Sequence, residues 1–217
     1  MAGGKFTFAE PGILVLDPGM HADEFQQITE DVFFWQAYAA AVKSDLSCCA
    51  RRCADGLVFI DPIALAPAAL DELIQIAAPT AIVLTNGNHA RSAATYRAKF
   101  GIPICAHVDA VAELGIEVDQ TFTDEATLLG SFEVVALEGG PAGEVALVAD
   151  GCVHFGDAVI HLEPHGLRVL PDKYSRDQAA LRTALQKLLP FDFELMTFAH
   201  GLPVPAHAQR RLASILA

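Results

Sequence analysis

The feature that most constrains this chain is the run Ala81-Ile82-Val83-Leu84, which stops abruptly at Thr85-Asn86-Gly87-Asn88-His89-Ala90-Arg91. A strand with no polar face must be covered on both sides, so residues 80–84 read as an interior strand with layers above and below. Polar residues at the end of such a strand mark a candidate site. A helix over residues 92–100 and a strand at 103–107 complete a right-handed strand-helix-strand unit. Just upstream, Pro67 opens a helix whose Leu70, Leu73, Ile74 and Ala77 share one buried face. Before it come an apolar run at 12–16 and a hairpin of strands at 44–50 and 57–60 with a basic turn.

The second half changes rhythm. Strands at 132–137, 145–149 and 152–155 form a meander around glycine-rich turns. Ser175 and Gln178 read as a capping box for a helix carrying Leu181, Leu185, Leu188 and Leu189. A strand at 194–199 then leads to His200, and a last helix starts at Pro205. Two β-rich halves, each closed by helices, imply two sheets face to face with helices outside. With no linker or repeat, residues 1–217 read as one domain.

Hydrophobic residues make up 53% and charged residues 19% of the chain, which excludes a disordered protein. The net charge of −13 repels phosphate polyanions and anionic lipid, so neither nucleic acid nor a membrane is an expected partner. No apolar stretch is long enough to span a bilayer and the start lacks a secretory leader, giving an expected cytoplasmic location. Cys48, Cys49 and Cys53 crowd together while Cys105 and Cys152 stand apart, a pattern read as free thiols.

Four short motifs, each at the end of an expected strand, resemble the metallo-β-lactamase superfamily. Leu57-Val58-Phe59-Ile60-Asp61-Pro62 is similar to the family's aspartate-bearing strand end. Thr85 to Arg91 stands where the family's T-H-x-H-x-D-H loop is found, and Glu138-Gly139-Gly140-Pro141-Ala142-Gly143-Glu144 resembles its P-G-H-S-P-G-E turn. Phe155-Gly156-Asp157-Ala158 and Ala199-His200-Gly201 resemble the bridging-aspartate and closing-histidine motifs. The resemblance implies an α+β fold, the four-layer αββα sandwich, and a cleft at the motif loops.

It also implies a depleted metal site. Zinc requires about three or four N, O or S donors, and a dinuclear hydrolase more. Of the matched ligand positions only Asp157 and His200 keep donors; Asn86 and Asn88 carry amides, Ala90 and Gly140 carry none, and Arg91 brings a fixed cation. The expectation is a homologue without a binuclear centre and with no metal cofactor, one that binds a small molecule or is inactive. The alternative is a mononuclear zinc or other divalent-metal hydrolase of an ester, thioester, lactone or amide, using Asp157, His200 and His89.

Arg91 is expected to pair with Asp157, which would otherwise be a buried unpaired charge, or else to point to solvent. His89, matched to a non-ligand position, is expected to turn its ring away from the cleft. Asn86 and Asn88 either touch substrate or hold the loop through Asx bonds. Asp157 and His200 could also simply secure strand ends. A Cys48-Cys49-Cys53 metal site is disfavoured because neighbouring strand residues face opposite sides. His154, His161 and His165 read as solvated loop histidines, His161 nearest the cleft mouth. The segment 23–38, with Phe33, Phe34 and Trp35, reads as core, with a homodimer surface as the other option.

Overall fold

The structure is a computed structural model that describes residues 19–217, so the apolar run at 12–16 lies outside the described residues. Seven strands lie side by side in sequence order: Gln26–Gln27, Val32–Ala39, Ser44–Cys53, Gly56–Ile60, Pro79–Leu84, Ile104–His107 and Gln120–Phe122. The first four pair antiparallel and the remainder add in parallel. The expected strand-helix-strand unit is the Pro79–Leu84 strand, the Ala93–Phe100 helix and the Ile104–His107 strand.

A second sheet of five strands has the order Leu195–Phe198, Cys152–Phe155, Val145–Ala149, Phe132–Ala136, Thr127–Leu128. A two-stranded ribbon, Val159–Leu162 with Gly166–Val169, was not expected from the sequence. Its burial runs in blocks, with Val159, Ile160 and Val169 buried and the far end half-exposed, so the sequence carries no alternating signal.

Three apolar clusters hold four layers together. The Pro67–Ile76 and Ala93–Phe100 helices place Leu70, Leu73 and Tyr96 against Phe33, Trp35 and Phe59 of the first sheet. Between the sheets, Val58, Ile60, Val83 and Cys105 meet Phe132, Val134, Val145 and Leu147. On the far side Leu181, Leu185 and Leu212, from the Gln178–Leu185 and Ala208–Leu216 helices, pack on Val153, Phe155 and Phe198. Fully burying each such side chain favours folding by about 1.5–3 kcal/mol. The expected αββα sandwich is thus the observed one, and residues 81–84 are apolar throughout because they have cover on both faces.

Several local expectations shift. The hairpin strand runs on through Arg51 and Arg52 to Cys53, because both arginines find carboxylates, Asp150 and Glu30 with Asp31. Helix Gln178–Leu185 is capped by Asp177, whose side chain accepts from the Ala180 amide, while Ser175 bonds to Asp172. The last helix begins at Ala208 because His207 is left-handed, with φ 57°.

Phe33, Phe34 and Trp35 are at most 2% exposed, and the Trp35 indole donates to Ile63 O at 3.0 Å. Phe33, Phe34 and Trp35 thus belong to a core strand, Val32–Ala39, while Tyr38 of the same strand is exposed. Among the described residues no helix is long and apolar enough to cross a membrane.

Candidate metal centre

Four strands, two from each sheet, end at one rim and deliver the motif residues there. Gly56–Ile60 leads into Asp61, Pro79–Leu84 into Thr85, Cys152–Phe155 into Asp157 and Leu195–Phe198 into His200. Asp61 is fully buried and has φ 49°. Its carboxylate accepts from the Thr85 amide at 2.9 Å, from the Thr85 hydroxyl at 2.5 Å and from His89 Nδ1 at 2.9 Å.

Those bonds turn His89 inward, which corrects the expectation that its ring leaves the cleft. The sequence position matches no family ligand, but two local acceptors and a left-handed Arg91, φ 35°, set the ring's direction. His89 Nε2 lies 3.3 Å from Asp157 Oδ1, and His200 Nε2 lies 3.1 Å from the same oxygen. One donor atom from each of His89, Asp157 and His200 falls within 4.8 Å of the others.

Each imidazole has its second nitrogen occupied, His89 by Asp61 and His200 Nδ1 by Asp45 O at 3.3 Å. Metal-binding histidines are oriented in this way, with one nitrogen on an oxygen and the other free for the ion. His89 is 2% exposed, yet its Nε2 has no hydrogen-bond partner. Two imidazole nitrogens, one of them buried without a hydrogen bond, and a carboxylate fit a single divalent ion.

Electrostatics agree. Burial alone would raise Asp157, but His89 and His200 outweigh it and hold its carboxyl well below the usual range. Burial and Arg91 push His89 down, while Asp61 and Asp157 prevail and raise it to about 9. His89 therefore carries a proton in the metal-free chain, which a bound ion would displace. His200 is lowered chiefly by burial, so it carries a single ring proton near neutral pH, which the Asp157 carboxylate 3.1 Å away draws to Nε2 until an ion displaces it.

The other matched positions do not add donors. Asn86 Nδ2 bridges Glu144 Oε2 at 2.7 Å and Asp157 Oδ2 at 3.0 Å. Asn86 Oδ1 accepts from the Asn88 amide at 2.8 Å, the Asx bond expected for this loop, and Asn88 Nδ2 lies 3.4 Å from Asp157 Oδ2. A Cβ at Gly140 would stand 2.7 Å from Glu144 Cγ, so the glutamate fills the space next to that glycine. Glu144 is a site residue the sequence reading missed. Burial and the Asp157 charge push it up to about 8, leaving it neutral at pH 7.

Arg91 is neither paired with Asp157 nor turned to solvent. Its guanidinium donates to Ser47 O at 2.7 Å, Asp61 O at 3.1 Å and Ala199 O at 3.1 Å. Ser47 lies within a strand of the first sheet, and Asp61 and Ala199 follow strand ends of the two sheets, so Arg91 pins the rim. The three carbonyls offered more donatable partners than one carboxylate already bonded by Asn86 and flanked by both histidines.

His154 is a further correction. Rather than being solvated it is 2% exposed on the Cys152–Phe155 strand, with Nδ1 on Thr197 Oγ1 at 2.9 Å. His161 sits beside His200 with Nδ1 on Leu202 O at 2.7 Å, and His165 is exposed. Cys48 faces the helix-side core and Cys49 the inter-sheet core, so the cysteines do not converge, and all five thiols are free.

Comparison with known proteins places these features in context. A family model described as the metallo-beta-lactamase superfamily matches residues 27–213. No curated protein sequence matches the chain. Among solved structures, DIM-1 metallo-beta-lactamase superposes with TM-score 0.71 at 15% identity, covering 91% of this chain and 98% of that one. A metallo-beta-lactamase from Pontibacter korlensis gives 0.67 at 17%, covering 89% and 98%. TTHA1623 in a di-iron-bound form gives 0.58 at 23%, covering 73% and 88%.

Proposed function

The chain belongs to the metallo-β-lactamase superfamily, and we propose that it acts as a hydrolase with one divalent metal site, His89-Asp157-His200, in place of a binuclear centre. The inward His89 carries this reading: its orphan Nε2 and the His200 Nε2 meet at Asp157 Oδ1. A divalent ion there supplies Lewis acidity, polarising a substrate carbonyl and making water a stronger nucleophile. Substrates are carbonyl compounds of the ester, thioester, lactone or amide class.

The chain's own residues prepare the site. Asp61 holds the Nδ1 edge of His89, leaving Nε2 as the donor. Asn86 takes Asp157 Oδ2, leaving Oδ1 toward the imidazoles. A neutral Glu144 keeps one anionic carboxylate at the cleft instead of two, so the negative charge suits a single ion.

A metal-free, ligand-binding homologue is the second reading. It is favoured by the Asn86 amide, which satisfies Asp157 and Glu144 together without an ion.

Metal analysis of protein purified without chelator separates the two. One ion per chain is expected, and metal at 100 times its dissociation constant stabilises by about 2.7 kcal/mol, roughly 5–10 °C at this size. His200→Ala should abolish the shift. Protein that carries no metal and melts identically with zinc, manganese, cobalt or ferrous iron would end the hydrolase proposal.

A further inference from the structure

Behind His89 and Asp61 lies a second buried imidazole that the proposed chemistry does not use. We infer that His154 is a positioning residue for the metal site, acting through Asp61 to fix which nitrogen of His89 faces the cleft. This rests on the single-metal reading for its consequence but not for its geometry.

The contacts run in one line from cleft to inter-sheet core. His89 Nδ1 meets Asp61 Oδ2 at 2.9 Å, and His154 Nε2 faces that same oxygen at 3.6 Å. On its other edge His154 Nδ1 lies 2.9 Å from Thr197 Oγ1 and 3.2 Å from Cys49 Sγ. Strand parity makes this reach possible. His154 and Cys152 share a face of their strand, while Val153 and Phe155 point to the opposite cluster. Cys49 comes across from the other sheet.

The tautomer follows from chemistry. A proton on Nδ1 would leave the Nε2 lone pair against an ionised carboxylate in a dry interior, a repulsive arrangement. A proton on Nε2 points a donor at Asp61, and Nδ1 then accepts from the Thr197 hydroxyl or the Cys49 thiol. Burial lowers the His154 pKa, so it carries a single ring proton at neutral pH. At 3.6 Å the Nε2 contact is longer than a hydrogen bond, yet it is directed at a group buried with it.

Asp61 thereby accepts from the Thr85 amide and hydroxyl and from His89, and the positive edge of His154 closes the ring at the longer distance of 3.6 Å. A carboxylate so held stays anionic and fixed, and it keeps the His89 Nδ1 protonated and its Nε2 directed at the ion. A purely structural role would only fill the space between the sheets and would leave His89 unaffected.

Substitution of His154 by glutamine and by leucine separates these roles. Glutamine can present an N–H where Nε2 stood, and leucine cannot. Cobalt(II) titration followed by visible absorption reads metal affinity, and imidazole ¹⁵N spectra of metal-free protein read His89. We expect His154→Leu to bind cobalt about 10–100-fold more weakly with a shifted His89 Nδ1 resonance, and His154→Gln to stay within about threefold with the resonance near wild type. Folding is checked by circular dichroism. A leucine variant with wild-type affinity, or a glutamine variant as weak as leucine, overturns the inference. Should wild-type protein take up no cobalt, the hydrolase proposal fails by itself. The His89 resonance still decides, because a Nδ1 shift unmoved by leucine overturns the role of His154.

Discussion

Replacing Arg91 by methionine keeps an unbranched apolar stem and deletes the guanidinium, so it measures what the rim clamp contributes. Three bonds are lost, to Ser47 O, Asp61 O and Ala199 O. A hydrogen bond from a charged group is worth about 1.5–3 kcal/mol net. The Ala199 carbonyl also accepts the Ser47 amide at 2.8 Å, so its loss is partial. Two full bonds and part of a third, taken at the lower end, come to about 4 kcal/mol. The methionine side chain no longer needs desolvating as a cation, which offsets roughly 1 kcal/mol. With a net loss of about 3 kcal/mol and 2–4 °C per kcal/mol at this chain length, Tm should fall by about 6–12 °C. Thermal melts by circular dichroism in EDTA read this directly. Arg91→Lys, which can satisfy one carbonyl at a time, should fall between the two. A methionine variant melting within about 2 °C of wild type would show that the carbonyl contacts do not hold the sheets together.

The remaining expectations are simpler. Glu144 has its folded pKa raised to about 8, so its contribution is fully present below the unfolded carboxyl value and is lost as pH rises through 8. In metal-free protein, unfolding free energy should drop by about 1.4 kcal/mol per pH unit from this group between pH 6 and 8. Glu144→Gln should lose that part of the slope, and equal slopes in urea titrations would disprove it. Gly201 has φ 101°, and a Cβ there would stand 1.9 Å from His161 O. Gly201→Ala should therefore displace His200 and destabilise by about 2–4 kcal/mol, visible as a lowered urea midpoint and weaker metal uptake. Trp35→Phe removes the bond to Ile63 O and some buried volume, costing about 2 kcal/mol; an unchanged urea midpoint would contradict it.

The layers were legible because burial leaves a direct trace in sequence. Ala81 to Leu84 has no polar residue and is covered on both faces, while Leu181 and Leu185 repeat at helical spacing and are fully buried. The motif residues Asp61, Asp157 and His200 were legible for a related reason, since strand ends fix their backbone positions. Side-chain direction was not. His89 turns inward because Asp61, 28 residues earlier, accepts its Nδ1, and no local pattern encodes that. Arg91 looked like a partner for a carboxylate because sequence reports charge, and its three carbonyl acceptors are backbone atoms invisible to it. Glu144 read as the end of a glycine turn, although its nearness to Gly140 hinted at a side chain taking unclaimed space. His154 could have been found by strand parity, since it falls out of phase with Val153 and Phe155, which face the helix side.

The glutamate next to Gly140 bears on how this lineage could change. A histidine introduced at position 140 alone would collide with Glu144, and evicting Glu144 alone would leave the Ala158 amide without its acceptor and the Asn86 amide with Asp157 alone. Placing a side-chain donor at position 140 therefore requires Glu144 to be replaced with it, since each change is harmful when made first. Substitutions at these two positions should therefore be strongly non-additive, each tolerated better in the presence of the other than alone.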